Sequence, residues 1–154
     1  MIEYKGAVMR RFASKDSKRD FYILYTLVFG VIAGFIYFQF AGNGKSLVWS
    51  HDGIPQHLNS LAYYGRYLRE VLHTIFVEHK LELPMWDMNI GYGSDILTTL
   101  HYYVIGDPLT LLSVFVPENM TEVLYEVLIF LRIYLAGISF SIFCFYRSEE
   151  RRVG

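Results

Sequence analysis

The sequence predicts an all-α integral membrane protein in which two transmembrane helices are joined by a long helical outer loop. Three observations lead to this fold class. Hydrophobic residues make up 53% and aromatic residues 18% of the 154 positions, which is high for a soluble domain. Two apolar runs, residues 21–41 and 121–146, each reach the roughly 20 residues that a bilayer core requires. Basic residues cluster at the two ends of the chain, and acidic residues predominate in the middle.

Residues 1–20 form a basic segment whose positive charges include Arg10, Arg11, Lys15, Lys18 and Arg19. Under the positive-inside rule such a flank stays in the cytoplasm, and anionic lipid headgroups attract it. The tail at residues 147–154 is also basic on balance and is predicted to return to the cytoplasm. We therefore expect a multi-pass protein of the cell membrane with a cytoplasmic N-terminus. Its first partner is the lipid bilayer, and no feature of the segment supports nucleic-acid binding.

The first transmembrane helix is predicted over residues 21–41, because residues 21–40 carry no charge and reach about 30 Å as an α-helix. Gly30 and Gly34 lie four residues apart, a spacing that would let another helix approach closely. The glycines on either side of Asn43 are typical of a helix end. The chain is then expected to emerge at the outer face.

An extracytoplasmic loop is predicted over residues 42–120. Its first element is an amphipathic helix at residues 55–80, which starts with Pro55 and repeats apolar residues at spacings of three and four as far as Phe76. Three arrangements of this helix stay open: on the membrane surface, over a catalytic chamber, or packed against the rest of the protein.

The apolar stretch at residues 97–116 is the least regular part of the predicted loop. His101, Gly106, Asp107 and Pro108 interrupt its middle, and a membrane crossing here would place the arginine-bearing tail outside. We therefore predict two broken apolar helices that bend at residues 106–108 and dip into the edge of the bilayer.

The second transmembrane helix is predicted over residues 121–146 and contains Glu126 and Arg132. An arginine at the centre of a membrane helix costs about 2.5 to 3.5 kcal/mol on insertion scales, so Arg132 is expected to have a partner. Gly137 and Ser141 supply another small-residue pair for helix packing. Two spans and one loop provide little buried core, so we expect the chain to be the truncated N-terminal part of a larger protein.

Asp52 is the principal candidate for a catalytic residue. It lies within residues 45–57, just past the first span, where a positioned carboxylate could accept the proton of an acceptor hydroxyl. The alternative is that Asp52 caps the helix that begins near Pro55. Asp107 is the second candidate, because a charged group between apolar helices requires a reason. Its alternative is a cap on the helix that follows Pro108.

Other side chains are candidates for substrate binding. An arginine could stabilise an anionic group, and an aromatic ring could stack on a ring of the ligand. The set consists of Trp49, Gln56, Arg66, Arg69, His101, Tyr102 and Arg132. A divalent metal held by Asp52 and other carboxylates is the alternative to the arginines, although no pair of histidines has the spacing of a known zinc motif.

The order of these motifs resembles that of a known family. A basic start and one span precede SHDGIPQH, and then PMWDMNIGYGSD, LHYYVIGDPLTLLSVFVP and LIFLRIYLAGISFSIF follow. This ordered set, which covers essentially everything after residue 20, resembles the N-terminal region of the YfhO-type bacterial membrane proteins. These look like multi-span glycosyltransferases of the GT-C class, so the resemblance implies the N-terminal part of a GT-C-like multi-span fold.

The resemblance also implies an activity. It is the inverting transfer of a sugar from a polyprenyl-phosphate carrier to a cell-surface polymer, such as a teichoic acid, at the outer face. In GT-C enzymes a carboxylate in the first outer loop typically serves as the base, and Asp52 matches that placement. The family's full length is several times that of this chain, so the remaining spans are expected to complete the donor and acceptor sites. The 154-residue piece alone is not expected to be active.

Two other functions stay open beside the enzyme. Arg132 and the glycine-faced helices also suit a non-catalytic membrane module for transport of lipid-linked glycans or for assembly with another enzyme. The other is a small cell-surface protein that is complete at Gly154.

Overall fold

The computed structural model describes residues 15–153, and the chain is mostly helical. The described residues contain four α-helices, which are α1 (Lys15–Ala41), α2 (Asn59–Phe76), α3 (Ile96–Leu100) and α4 (Thr121–Val153). The predicted basic segment thus lies partly outside the described residues, since residues 1–14 are not described and α1 already begins at Lys15. Gly154, at the end of the predicted cytoplasmic tail, lies outside them as well.

Short helical turns and one small hairpin connect the α-helices. The turns are π-helical at Gly53–Leu58 and His101–Ile105, and 3-10 helical at Pro108–Phe115 and Glu118–Met120. The strands β1 (Trp86–Asp87) and β2 (Ser94–Asp95) pair antiparallel, with Trp86 opposite Asp95 and Asp87 opposite Ser94.

The chain divides into two compact units. The described residues up to Lys45 and from Phe130 onward form one, which we call the helix-pair unit, and Ser46–Ile129 form the other, the loop unit. Helix α4 begins in the loop unit and continues in the helix-pair unit. All of the candidate catalytic and binding residues except Arg132 lie in the loop unit.

Two helical segments, Ser17–Ala41 and Glu118–Ser148, are long and apolar enough to cross a membrane. Helix α1 exposes large apolar side chains along its length, among them Val31 and Phe38, each 73% exposed. Such a surface is suited to hydrocarbon rather than to water. The prediction of a helical protein with two apolar membrane-length helices is confirmed at this level, and both helices extend beyond the predicted 21–41 and 121–146.

Within the helix-pair unit, α1 and α4 pack through tyrosines and a glycine. The ring of Tyr25 lies against Gly137, where an added Cβ would come within 2.8 Å of the ring carbon Cζ. Tyr25 Oη donates a hydrogen bond to the Tyr134 carbonyl at 3.1 Å, and the two rings stack with centroids 5.4 Å apart. The small residue at 137 therefore permits the close approach of the two helices.

Helix α2 is the central element of the loop unit and packs mainly against the 3-10 helix Pro108–Phe115. A Cβ added to Gly65 would lie 2.8 Å from the Ser113 carbonyl oxygen, so the two backbones are nearly in contact there. Arg69 Nη1 donates to the carbonyls of Ser113 at 2.9 Å and Val116 at 2.8 Å. Helix α2 thus packs against the loop unit, and the two other arrangements, on the membrane surface and over a catalytic chamber, stay predictions.

The core of the loop unit collects apolar side chains from several elements. Its buried members are Val48, Leu61, Tyr64, Val71, Ile96, Leu100, Val104, Leu124 and Leu128. Ile96, Leu100 and Val104 lie four residues apart on one face of the apolar helix Ile96–Ile105, and each is at most 3% exposed. One face of the stretch predicted to dip into the bilayer is thus buried within the protein, and the chain breaks at Gly106 and Asp107 before Pro108–Phe115.

Helix α2 is shorter than the predicted 55–80. The residues before it form the π-helical turn, in which the N–H groups of Gln56 and His57 both point to the Asp52 carbonyl at 3.1 Å. At the other end the helix stops at Phe76, and His79 adopts a left-handed conformation with φ 55°. A non-glycine residue in that region marks a turn, which ends the helix early.

Candidate functional site

Asp52 lies immediately before the turn Gly53–Leu58, yet its carboxylate does not cap it. Its backbone is helical, with φ −91° and ψ −22°, and its side chain makes no capping hydrogen bond. A capping side chain normally requires extended backbone angles. Asp95 and Asp107, which do cap helices, have φ −67° with ψ 127° and φ −113° with ψ 112°. The geometry at Asp52 therefore differs from that of a helix cap.

A relay of side chains holds the Asp52 carboxylate. Gln56 Nε2 donates to Asp52 Oδ1 at 3.2 Å, and Tyr103 Oη donates to Gln56 Oε1 at 2.9 Å. Asp52 is half-buried at the edge of this relay. Within residues 15–153, no hydrogen bond occupies Asp52 Oδ2, so this oxygen is available to accept a proton.

Aromatic rings adjoin the relay. His57 and Tyr103 meet edge to face with centroids 5.2 Å apart, and Tyr102 and Tyr103 do the same at 5.2 Å. We call His57, Tyr102 and Tyr103 the ring cluster. Tyr102 is 75% exposed, so its ring is open to a ligand. Trp49, another predicted stacking residue, is 60% exposed and lies 5.7 Å from the ring of His51.

Asp107 and His101 make local contacts of their own. Asp107 Oδ1 accepts from the Leu109 N–H at 2.9 Å at the start of the 3-10 helix, as the capping alternative predicts. His101 Nδ1 lies 2.6 Å from the Thr98 carbonyl and donates to it, so in the neutral ring Nε2 is the acceptor. His101 is exposed and Asp107 is half-buried.

The arginines of the loop unit are engaged with protein groups. Arg66 Nη1 lies 3.6 Å from Glu118 Oε1, and its guanidinium lies over the ring of Tyr63, 5.3 Å from the centroid. Arg69 Nη1 binds the two carbonyls at the end of the 3-10 helix described above. Arg132 belongs to the helix-pair unit, where it is half-buried. The structure thus brings Asp52, Gln56 and Tyr102 together and places Arg66 and Arg69 in other contacts.

A second polar site lies between α2 and the segment that carries β1. Tyr63 Oη donates to Asp87 Oδ2 at 2.6 Å, while Asn89 donates to Asp87 Oδ1 from its backbone at 2.8 Å and from its side chain at 2.9 Å. Burial, followed by the hydrogen bond to Asp87, raises the pKa of Tyr63 above its usual 10.0. The hydrogen bond from Tyr63, followed by that from the Asn89 N–H, lowers the pKa of Asp87 below its usual 3.8.

These groups line a cleft of about 450 Å³, which we call the polar cleft. Its walls are formed by Tyr63, Arg66, Tyr67, Glu70, Asp87 and Asn89. Tyr67 Oη donates to the Pro84 carbonyl at 3.2 Å, so two tyrosines one helical turn apart tie the segment to α2.

The described residues contain no group of three or more His, Cys, Asp or Glu side chains that could hold a metal ion. The metal held by Asp52 and other carboxylates stays a prediction. Asp95 and Asp107 each accept a hydrogen bond from the backbone of the helix that follows. Asp87 accepts from Tyr63, so the three carboxylates have separate partners.

Three residues that the structure places at these sites are not among the candidates predicted from the sequence. Tyr103 joins the relay, and Asp87 and Asn89 form one wall of the polar cleft. Asp87 and Asn89 lie in a segment rich in turn formers, where a local role is the simplest expectation. The positions of Tyr63, Tyr67 and Glu70 at i, i+4 and i+7 mark one face of α2 and are the signal that could have indicated the cleft.

Comparison with known proteins identifies one family. The model of the family described as bacterial membrane protein YfhO matches residues 24–153. No curated protein and no solved structure matches the chain. The match covers most of the sequence, including most of the first apolar helix, all of the second and the whole loop unit. It confirms the resemblance seen in the order of the motifs, and with the two apolar helices it indicates a protein of the membrane, associated with the lipid bilayer. The chain belongs to the YfhO family of bacterial membrane proteins.

Proposed function

We propose that the chain is the N-terminal part of a multi-span membrane glycosyltransferase of the GT-C type. In this proposal a sugar passes from a polyprenyl-phosphate carrier to a cell-surface polymer, such as a teichoic acid, at the outer face. The observation that carries the proposal is the state of the Asp52 carboxylate. It is half-buried, and it is held by the Gln56 amide instead of by backbone N–H groups. Its relay partner Tyr103 adjoins the exposed ring of Tyr102.

In the proposed reaction Asp52 is the general base. The acceptor hydroxyl oxygen forms a bond to the anomeric carbon as the bond from that carbon to the phosphate oxygen breaks. The acceptor proton passes to Asp52, and the electron pair leaves with the polyprenyl phosphate. Attack from the face opposite the leaving group inverts the anomeric carbon. A positioned base typically accelerates such a step by about 10²- to 10⁴-fold.

The neighbours of Asp52 take supporting roles. The relay through Gln56 and Tyr103 fixes the orientation of the carboxylate, which a general base requires. Tyr102 and Trp49, both more than half exposed, are proposed to stack on the sugar or the polymer acceptor. Arg66, Arg69 and Arg132 stay the predicted cations for the leaving phosphate.

A second candidate function is a non-catalytic module for lipid-linked glycan transport or for assembly with another enzyme. The close packing of Tyr25 on Gly137 favours it, since small residues at helix contacts serve association between membrane helices. Such a protein would also need a membrane domain, and it would bind the lipid-linked sugar without cleaving it.

Reconstitution separates the two functions. The purified full-length protein is incorporated into liposomes that contain a polyprenyl-phosphate sugar with a radioactive label, and acceptor polymer is added outside. The proposal predicts label on the polymer and free polyprenyl phosphate without any further protein. Binding of the labelled lipid without turnover would support the non-catalytic module instead. Glu82→Gln, which removes an exposed carboxylate elsewhere in the loop unit, is the matched control and retains activity.

A further inference from the structure

The polar cleft has no role in the reaction as proposed above, yet it is built from residues that recognise a particular chemistry. Two tyrosines, two carboxylates, one amide and one arginine converge on it. Planar carboxylate and amide groups accept and donate hydrogen bonds to adjacent hydroxyls of a polyol. We infer that this cleft binds an uncharged sugar residue of the substrate.

Unused hydrogen-bonding groups support a ligand in the cleft. Asp87 receives three hydrogen bonds, from Tyr63 and twice from Asn89, whereas an ionised carboxylate offers about four acceptor positions. In residues 15–153, the carboxylate of Glu70 and the side-chain oxygen of Asn89 accept no hydrogen bond. The cleft therefore presents three acceptor groups to the hydroxyls of a ligand.

The charge of the cleft excludes a phosphate as its ligand. Arg66 is the one cation among the lining residues, and its partner Glu118 lies 3.6 Å away. Glu70 and Asp87 each add a negative charge, and the hydrogen bonds to Asp87 keep it ionised at neutral pH. The balance is negative, so an anionic phosphate is repelled, while a neutral polyol meets no such barrier.

The cleft is also shaped in advance of binding. The hydroxyls of Tyr63 and Tyr67 bind the opposite wall at Asp87 and Pro84, and Asn89 holds the Asp87 carboxylate in one orientation. A volume of about 450 Å³ accommodates one or two sugar rings, since small-molecule sites typically measure about 300 to 1,000 Å³. Acceptors fixed in this way lose little freedom when a ligand binds.

The inference rests on the proposed function only for the choice of a sugar as the ligand, and direct binding tests it. Methyl glycosides of glucose, galactose and N-acetylglucosamine are titrated against the detergent-solubilised full-length protein and followed by saturation-transfer NMR. At least one glycoside is expected to bind. The variant Glu70→Gln/Asn89→Ala weakens this binding about tenfold, since Glu70 loses its charge and Asn89 loses its amide, whereas Glu82→Gln leaves it unchanged.

Three results would overturn the inference: no binding of any of the glycosides, equal binding by the double variant, or displacement of the bound glycoside by inorganic phosphate. Glu70→Gln alone, a change at an exposed position, serves if the double variant does not fold. Asp52→Asn separates this inference from the proposed function. Suppose that the wild-type protein transfers no sugar and that Asp52→Asn still binds the glycoside. This result would contradict the transferase function, while the sugar-binding role of the cleft would stand. Active transfer without glycoside binding contradicts the cleft alone.

Discussion

Three aspartates in the loop unit, Asp52, Asp95 and Asp107, precede helical turns, but only two of them act as caps. Asp95 and Asp107 have extended backbones and accept hydrogen bonds from N–H groups two or three residues ahead. Asp52 has a helical backbone and accepts from a side chain instead. The sequence offers both interpretations for Asp52 and for Asp107, because the outcome depends on the backbone angles of a single residue. The structure distinguishes them.

The difference predicts unequal effects on stability. Asp107→Ala removes a cap and is expected to lower the free energy of unfolding by about 0.5 to 2 kcal/mol. Asp52→Ala is expected to have a clearly smaller effect, because no backbone N–H loses its partner. Thermal unfolding of the detergent-solubilised protein, followed by circular dichroism, measures both. Equal losses in the two variants would indicate that Asp52 is also a cap.

The lowered pKa of Asp87 predicts that the stability of the folded protein depends on pH. Its pKa is lowered in the folded state, chiefly by the hydrogen bond from Tyr63, so its contribution to stability is present above the usual carboxyl pKa of 3.8. That contribution is lost as the pH falls through the lowered pKa of the folded state. The melting temperatures of wild type and Asp87→Ala should therefore differ at pH 7 and converge on acidification below about pH 4. A gap that stays constant down to pH 3 would contradict the assignment.

At the level of elements, apolar periodicity predicts α2 well in its middle and poorly at its ends. The predicted end at residue 80 is four residues too late, because His79 turns the chain into a left-handed conformation that no periodicity reveals. The π-helical turn at the start arises from the Asp52 carbonyl, which is shared by two N–H groups. Local hydrogen bonding decides such boundaries, and the apolar pattern contains little information about it.

The glycines also show that spacing in the sequence does not predict where two elements come close. Gly30 and Gly34 have the spacing of a helix contact, yet a Cβ on either would meet no described atom within 4 Å. Gly65 has no second glycine four residues away, yet it is the point at which α2 and the 3-10 helix nearly touch. Close approach depends on the element packed opposite, which the spacing within one helix does not specify.

Gly65→Ala is accordingly expected to destabilise the loop unit. The new Cβ would lie 2.8 Å from the Ser113 carbonyl oxygen and 3.2 Å from its Cβ, so α2 must move away and strain the bonds from Arg69. Overpacking of this kind typically costs about 1 to 3 kcal/mol. Gly34→Ala, where an added Cβ meets open space, is the matched control and should leave the melting temperature nearly unchanged. A small effect at both positions would show that the contact at Gly65 is loose.

At the level of the whole molecule, composition and the two apolar runs were sufficient for the class. A helical membrane protein with two membrane-length helices is what the structure has, and the family match agrees. The site was predicted less completely, because the side chains that adjoin Asp52 come from distant segments: Gln56 from the π-helical turn, Tyr103 from the apolar helix Ile96–Ile105. Only folding of the loop unit brings residues 47 positions apart into contact.

The predicted orientation in the membrane is open to direct measurement. With Cys144 replaced by serine and any other cysteine removed, Ser50→Cys in the loop unit should react with a membrane-impermeant maleimide in intact cells. Ser148→Cys, near the end of α4, should react only after the membrane is permeabilised, because the positive-inside rule predicts that the basic flanks stay in the cytoplasm. Both positions are exposed in the structure, so labelling reports the side of the membrane. Labelling of Ser148→Cys in intact cells would contradict the predicted orientation, because it would place the end of α4 outside the cell.

The central claim, that Asp52 is the base of an outer-face sugar transferase, is tested most directly by Asp52→Asn in the reconstituted full-length protein. The asparagine amide keeps the size of the side chain but is not a proton acceptor of comparable strength. The rate of sugar transfer at saturating donor is expected to fall about 10²- to 10⁴-fold, while the amount of folded protein in the membrane stays the same. Transfer at a rate close to that of wild type would contradict the assignment of Asp52.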